Sequence, residues 1–228
     1  MLFPYFFHVF TMNEFVYVDE ECFVSHITPA ELDVFLARGW RHVGTRFFRY
    51  SSGFYDSAFH HVAPLRIRLA NFSLSKSQRR TLKKNRDLRV AVRPLEITPE
   101  KEELFERHKR RFTYGVPESI YNFLPRRAED NPCEALEICV YRGDELLAAS
   151  FFDVGERAVS SVYAIFAPEE RARRLGIFTM LLEIEWALEH KKEFFYQGYC
   201  FEEDSFYDYK KRFRGVEKFD WIGNWESF

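Results

Sequence analysis

Between Lys76 and Arg89 the chain places seven cations, Lys76, Arg79, Arg80, Lys83, Lys84, Arg86 and Arg89, against a single acid, Asp87. At helical spacing Lys76, Arg79, Arg80, Lys83 and Lys84 share one face, where like charges repel one another. A phosphate backbone laid along that face would relieve the repulsion; a plain solvated face is the alternative. A second segment, Arg171-Ala172-Arg173-Arg174-Leu175-Gly176, runs into a predicted helix. Backbone amides and the helix dipole make such a junction an anion site. The third is Tyr196-Gln197-Gly198-Tyr199 followed by Tyr209-Lys210-Lys211-Arg212-Phe213-Arg214, a run of cations among aromatics. By composition alone that run also suits an edge strand with lysines reaching to water. The scattered histidines give no Ser-His-Asp or Cys-His arrangement.

The elements that must position these residues are legible in outline. Thr28-Pro29-Ala30-Glu31 is a capping box with proline at the first helical position, and Gly39 is its stop. Residues 40–50 read as strand, broken at Ser51-Ser52-Gly53. Residues 64–69 read as a short strand. Ser75-Lys76-Ser77-Gln78 is a second capping box and opens the basic helix; Thr98-Pro99 opens a further helix towards Phe112. Residues 135–141 and 145–154 flank Arg142-Gly143-Asp144 as a hairpin, and 158–166 is a third strand. After the arginine-rich loop, Ile177, Met180, Leu181, Ile184, Ala187 and Leu188 mark one helical face, and residues 194–199 form a strand. Three strands, basic loop, helix, strand is the order of the N-acetyltransferase-like (GNAT) fold. The expectation is a mixed α+β chain: a smaller N-terminal α/β subdomain with the basic helix over residues 1–95, and a GNAT-like acyltransferase sheet over 96–228.

Composition bounds the rest. The 228 residues are 46% hydrophobic, 30% charged and 18% aromatic, with net charge -2, so any nucleic-acid affinity must be local. Cys22, Cys133, Cys139 and Cys200 form no CxxC pair, which argues against a disulfide framework or zinc site and for reduced thiols. Residues 1–10 are apolar without a basic leader and read as strand or core. No run approaches the ~20 apolar residues of a membrane span. A cytoplasmic protein is expected.

Four stretches together resemble the arginyl-tRNA–protein transferase family, including its bacterial aspartate/glutamate leucyltransferase branch. They are Leu36-Ala37-Arg38-Gly39-Trp40-Arg41-His42-Val43-Gly44; Pro64-Leu65-Arg66-Ile67 with Phe72 and Ser75-Lys76-Ser77-Gln78-Arg79-Arg80; Ser161-Val162-Tyr163 with Leu175-Gly176; and Tyr196-x-Gly198-Tyr199 with Tyr209-Lys210 and Phe213-Arg214. The chain departs from the family in lacking its N-terminal cysteine cluster. Residues 51–61 hold His60 and His61 instead, and Gly215 stands where proline is usual.

The resemblance implies transfer of leucine or arginine from aminoacyl-tRNA to the α-amine of proteins beginning with Asp or Glu, a tagging step for degradation. It implies catalytic roles for Tyr199, Tyr209 and Lys210. Arg66, Tyr163, Gly198, Phe213 and Arg214 would bind substrate, and Lys76, Arg79, Arg80, Lys83, Lys84, Arg173 and Arg174 would hold tRNA. An ester donor brings its own activated carbonyl, so no cofactor, metal or iron–sulfur cluster is expected, nor DNA or membrane as partner. Its rivals are an acyl-CoA acetyltransferase of the same fold, which Phe178 at the basic turn would hinder by crowding a pyrophosphate, a non-catalytic tRNA-binding module, and a transferase acting on cell-wall precursors.

Overall fold

The computed structural model describes residues 11–12, 15–113 and 115–228. The expected strand or core segment at residues 1–10 lies outside them. The elements are β1 (Thr11–Met12), β2 (Phe15–Val16), β3 (Asp19–Phe23), α1 (Pro29–Ala37), β4 (Arg41–Val43), β5 (Arg46–Tyr50), β6 (Ser52–Tyr55), β7 (Ala58–Arg68), α2 (Lys76–Lys84), β8 (Arg89–Pro94), α3 (Pro99–Lys109), β9 (Ala135–Arg142), β10 (Glu145–Val154), β11 (Ala158–Phe166), α4 (Leu175–Glu189), β12 (Phe194–Phe201), β13 (Val216–Phe219) and β14 (Trp225–Ser227).

A nine-stranded mixed sheet runs β14-β13-β7-β12-β11-β10-β9-β8, with β6 paired to β7. The strand, strand, strand, loop, helix, strand order read from the sequence is its central part, and the fold is GNAT-like. The predicted boundary near residue 95 falls inside this sheet, because β7 pairs with β12 and β13, and β8 pairs with β9. A separate three-stranded sheet, β3-β5-β4, packs with α1 around its own cluster of Leu32, Leu36 and Phe47.

Both capping boxes form: the Thr28 and Ser75 side chains accept from the third helical amide, and Glu31 and Gln78 reach back. α3 ends at Lys109, short of Phe112. The strand predicted over 40–50 turns at Gly44-Thr45 into the β4–β5 hairpin, and the short strand at Pro64 is the end of an eleven-residue β7.

The main core lies between the sheet and α3 and α4, and includes Phe105, Phe151, Phe152, Leu181, Ile184 and Phe195. Leu188, predicted on the apolar face of α4, is exposed. Phe178 is a core residue, so it does not crowd the basic turn as expected. The buried pair Lys101–Glu137 ties α3 to β9 at 2.6 Å, and Arg93 reaches the same carboxylate at 2.7 Å. Among the described residues no helix is long and apolar enough to cross a membrane.

Candidate active site in the splayed sheet

β11 and β12 pair in parallel over only three positions, Ala158 with Phe194, Val159 with Phe195 and Ser160 with Tyr196. Beyond these they part. A bulge in β12 between Tyr196 and Gly198 and another in β11 at Val162, opposite Phe151 and Phe152, help to turn the strands away from each other. The gap opens a cavity of about 1030 Å³, lined by β11, β12, β4, the start of α4 and the 3-10 segment Phe206–Arg212. Gly176 allows α4 to start against β11, since a Cβ there would lie 2.9 Å from the Phe166 ring.

Arg41 and Lys210 line this cavity, and among the described residues neither has a carboxylate within ion-pair distance. Arg41 donates from Nη1 to Ser160 Oγ at 2.8 Å and from Nη2 to the Ser161 carbonyl, which pins it where the strands divide. Burial lowers its pKa although Asp153 and Glu183 oppose this. Lys210 donates to the Tyr199 carbonyl at 2.8 Å. Burial, with Arg41 adding like-charge repulsion, brings its pKa down to about 8. Gly198, at φ +84°, separates them: a Cβ there would meet Lys210 Nζ at 3.5 Å and Arg41 Nη2 at 3.7 Å. The backbone turn is what calls for glycine here, since a Cβ would make only ordinary contact with the two cations.

An acid comes from α4. Glu183 is 1% exposed, lines the cavity, and neither carboxyl oxygen has a well-directed hydrogen bond. Burial pushes its pKa up to about 8; the nearby Ser150 and Ser161 hydroxyls and Arg41 only partly offset this. Tyr209 and Tyr163 also line the cavity, each raised to about 12 by burial. The Tyr163 ring stacks on Phe123 with centroids 4.0 Å apart. Tyr199 donates its hydroxyl to the Gly39 carbonyl at 2.7 Å, and burial holds its pKa far above the usual range. That proton is committed to the backbone, so Tyr199 orients the wall and is poorly placed to act as a base.

The structure therefore brings Tyr163, Gly198, Tyr199, Tyr209 and Lys210 together. Three other expected substrate contacts lie elsewhere. Arg66 is buried between the Phe194 and Trp225 rings and pairs with Glu217 at 2.7 Å. Phe213 belongs to the core, and exposed Arg214 donates to Ser73 at 3.0 Å. Arg41, which stands in the first family-matching stretch, and Glu183 are not among the expected site residues. The signal for Glu183 was available: an acid between Met180 and Ala187, on the helix's buried stripe.

The basic elements have distinct surroundings. Lys76, Arg79, Arg80, Lys83 and Lys84 are exposed on α2 and have no acidic partner among the described residues. The buried face of α2 is Gln78 and Thr81, so its cations are free to face outward. Arg173 is bound to Asp87 and Glu170, at 2.8 and 3.2 Å, and so ties the loop to the end of α2. Arg174, at φ 58°, reaches Ser77 at 2.6 Å and lines the cavity, linking it to the α2 surface.

His60 and His61 both lie against Glu203, at 3.5 and 3.6 Å. The cysteine cluster of the family has no counterpart in the spacing of Cys22, Cys133, Cys139 and Cys200, which lie in β3, the loop before β9, β9 and β12. One group among the described residues, His42, Cys133 and Asp153, has donor atoms within 4.8 Å of one another. There His42 Nδ1 meets the Gly44 carbonyl and Nε2 meets Asp153, both at 2.9 Å. An imidazolium donating to both acceptors satisfies the whole group as an ion pair.

The nine-stranded sheet and the parting of β11 from β12 are those of a GNAT-like fold. Residues 100–220 match the family described as arginine-tRNA-protein transferase, C terminus. The chain is 34% identical to an aspartate/glutamate leucyltransferase of Xanthomonas axonopodis pv. citri (strain 306) over 165 residues, covering 69% of this chain and 66% of the relative. A protein of the same description from Saccharophagus degradans (strain 2-40) is 28% identical over 222 residues, covering 93% of this chain and 88% of that one. This chain belongs to the arginine-tRNA–protein transferase family. In structure it is similar to FemX, at TM-score 0.54 and 10% identity, over 86% of this chain and 68% of that one, a likeness of fold alone. The matched stretch is thus a little under two thirds of the Xanthomonas relative's length.

Proposed function

We propose that this chain is an aminoacyl-tRNA–protein transferase. It moves leucine or arginine from the 3′ end of charged tRNA onto the α-amine of a protein that begins with Asp or Glu. Leucine is favoured by the description of the relatives as aspartate/glutamate leucyltransferases. The observation that carries the reading is the pair of cations, Arg41 and Lys210, held in the split of the sheet with no carboxylate among the described residues within ion-pair distance of either. Burying charge without a partner costs several kcal/mol per ion. A fold keeps such a pair for an anionic occupant, and an acidic side chain at an acceptor's first residue is one. A forked guanidinium suits a carboxylate.

The donor's acceptor stem lies on the cations of α2, and Arg174 leads its 3′ end into the cavity. The carbonyl is already activated as an ester, so orientation and charge stabilisation supply most of the rate. Tyr163 and Tyr209 shape the reacting space, and their raised pKa values keep both hydroxyls protonated as hydrogen-bond donors.

The test uses the full chain with leucyl- and arginyl-tRNA carrying labelled amino acid, and peptides beginning with Asp, Glu, Arg or Ala. Label should appear on the Asp and Glu peptides, from leucyl-tRNA in preference. No transfer from either intact donor would remove the reading, and saturable coenzyme A binding would then favour an acetyltransferase.

A further inference from the structure

Among the described residues Glu183 has no ion pair and no directed hydrogen bond. Its carboxyl is carried by the buried face of α4 between Met180 and Ala187, and both oxygens lack a directed hydrogen bond while facing the cavity. A carboxyl in such a place costs stability unless something occupies it. The groups around it come from every neighbouring element: Arg41 from β4, Ser150 and Asp153 from β10, Ser161 from β11 and Tyr209 from the 3-10 segment. Two of these elements also present the cations reserved for an anion. One acid beside two cations is the complement of a first residue that carries an α-ammonium and, a few bonds away, a carboxylate.

We propose that Glu183 is the amine subsite of the acceptor: it binds the α-ammonium and takes its proton as the amine attacks. This rests on the transferase reading above. The balance is simple. One N–H proton passes to the Glu183 carboxylate, and the freed lone pair forms the N–C bond at the ester carbonyl. The adduct collapses with cleavage of the C–O bond to the ribose, whose oxygen takes the amine's second proton. Glu183 then releases its proton to solvent. An α-amine has a pKa of about 7.7–8.0, and Glu183 sits at about 8. The transfer is close to thermoneutral, the condition under which a general base works best.

The substitution Glu183→Gln keeps shape and any hydrogen bond a neutral acid makes, but cannot accept the proton. Single-turnover transfer is measured at saturating Asp-peptide from pH 6.5 to 8.5. The variant should be slower by about 100-fold near neutrality, the lower range for general-base catalysis. Its rate should follow the neutral fraction of the free amine, which rises about 15- to 25-fold across that range. A rate within about threefold of wild type overturns the proposal while leaving the transferase reading intact.

A binding arm works without turnover. Wild type should hold an Asp-peptide at least tenfold more tightly than the same peptide lacking its α-amine, and Glu183→Gln should lose that preference. An equal affinity for the two peptides in wild type also overturns the proposal. An inactive wild type removes the transferase reading and, with it, this role.

Discussion

The cationic face of α2 gives a prediction whose size follows from the structure. Lys76, Arg79, Arg80, Lys83 and Lys84 are exposed, and none is spent on an acidic partner among the described residues. Each cation that neutralises a phosphate contributes about 0.7 to 0.9 to the slope of log affinity against log salt. Five give a slope of about 3.5 to 4.5, which between 50 and 200 mM salt is a loss of roughly 100- to 500-fold. Replacing all five by glutamine keeps good helix formers on an exposed surface. It leaves the Ser75–Gln78 cap and the buried Thr81 in place. Binding of fluorescent tRNA, measured by anisotropy across that salt range, should lose about four units of slope in the variant. The melting temperature should change little. A variant that keeps the wild-type slope refutes the placement of the tRNA on α2, whatever the variant's affinity at one salt concentration.

Two further predictions concern buried charge. Lys101→Met leaves Glu137 buried with Arg93, the Glu96 amide and the Cys139 thiol but without its ammonium partner; urea unfolding should show a loss of about 3 kcal/mol, the lower end for breaking a buried pair. For His42, burial alone would pull the pKa down, but Asp153 and the Gly44 carbonyl outweigh it and the net shift is upward. Stability from this group is therefore complete below the unfolded histidine value of about 6.5 and is lost as pH rises through the higher folded value. Asp153 has the opposite sense: burial raises it, His42 and Arg41 lower it further, and its contribution is lost only as acid approaches that depressed value. Urea midpoints should fall above pH 6.5 in wild type, and Asp153→Asn should flatten that fall; an unchanged pH profile in the variant would refute the pairing.

Local chemistry was legible in the chain itself. The capping boxes at Thr28 and Ser75, the hairpin at Gly143-Asp144 and the cationic face of α2 depend on residues within a few positions of one another. Short-range sterics and hydrogen bonding set them, so spacing alone reports them. The order of strands and helix in the second half gave the GNAT-like fold for the same reason, since each element carries its own period.

What pairs with what across the sheet was decided only in three dimensions. Arg66 and Lys210 both stand in stretches that resemble the family, yet Glu217 pairs with one and, among the described residues, no carboxylate pairs with the other. That difference comes from the register of β7 with β13, which brings together residues 151 positions apart. Arg41 enters the site because the β4–β5 hairpin packs where β11 and β12 separate, and Glu183 because the turn of α4 aims it into the same gap. Charge in the sequence has a sign and a spacing. Its cost and its purpose depend on the dielectric and the partners around it, and long-range packing supplies both.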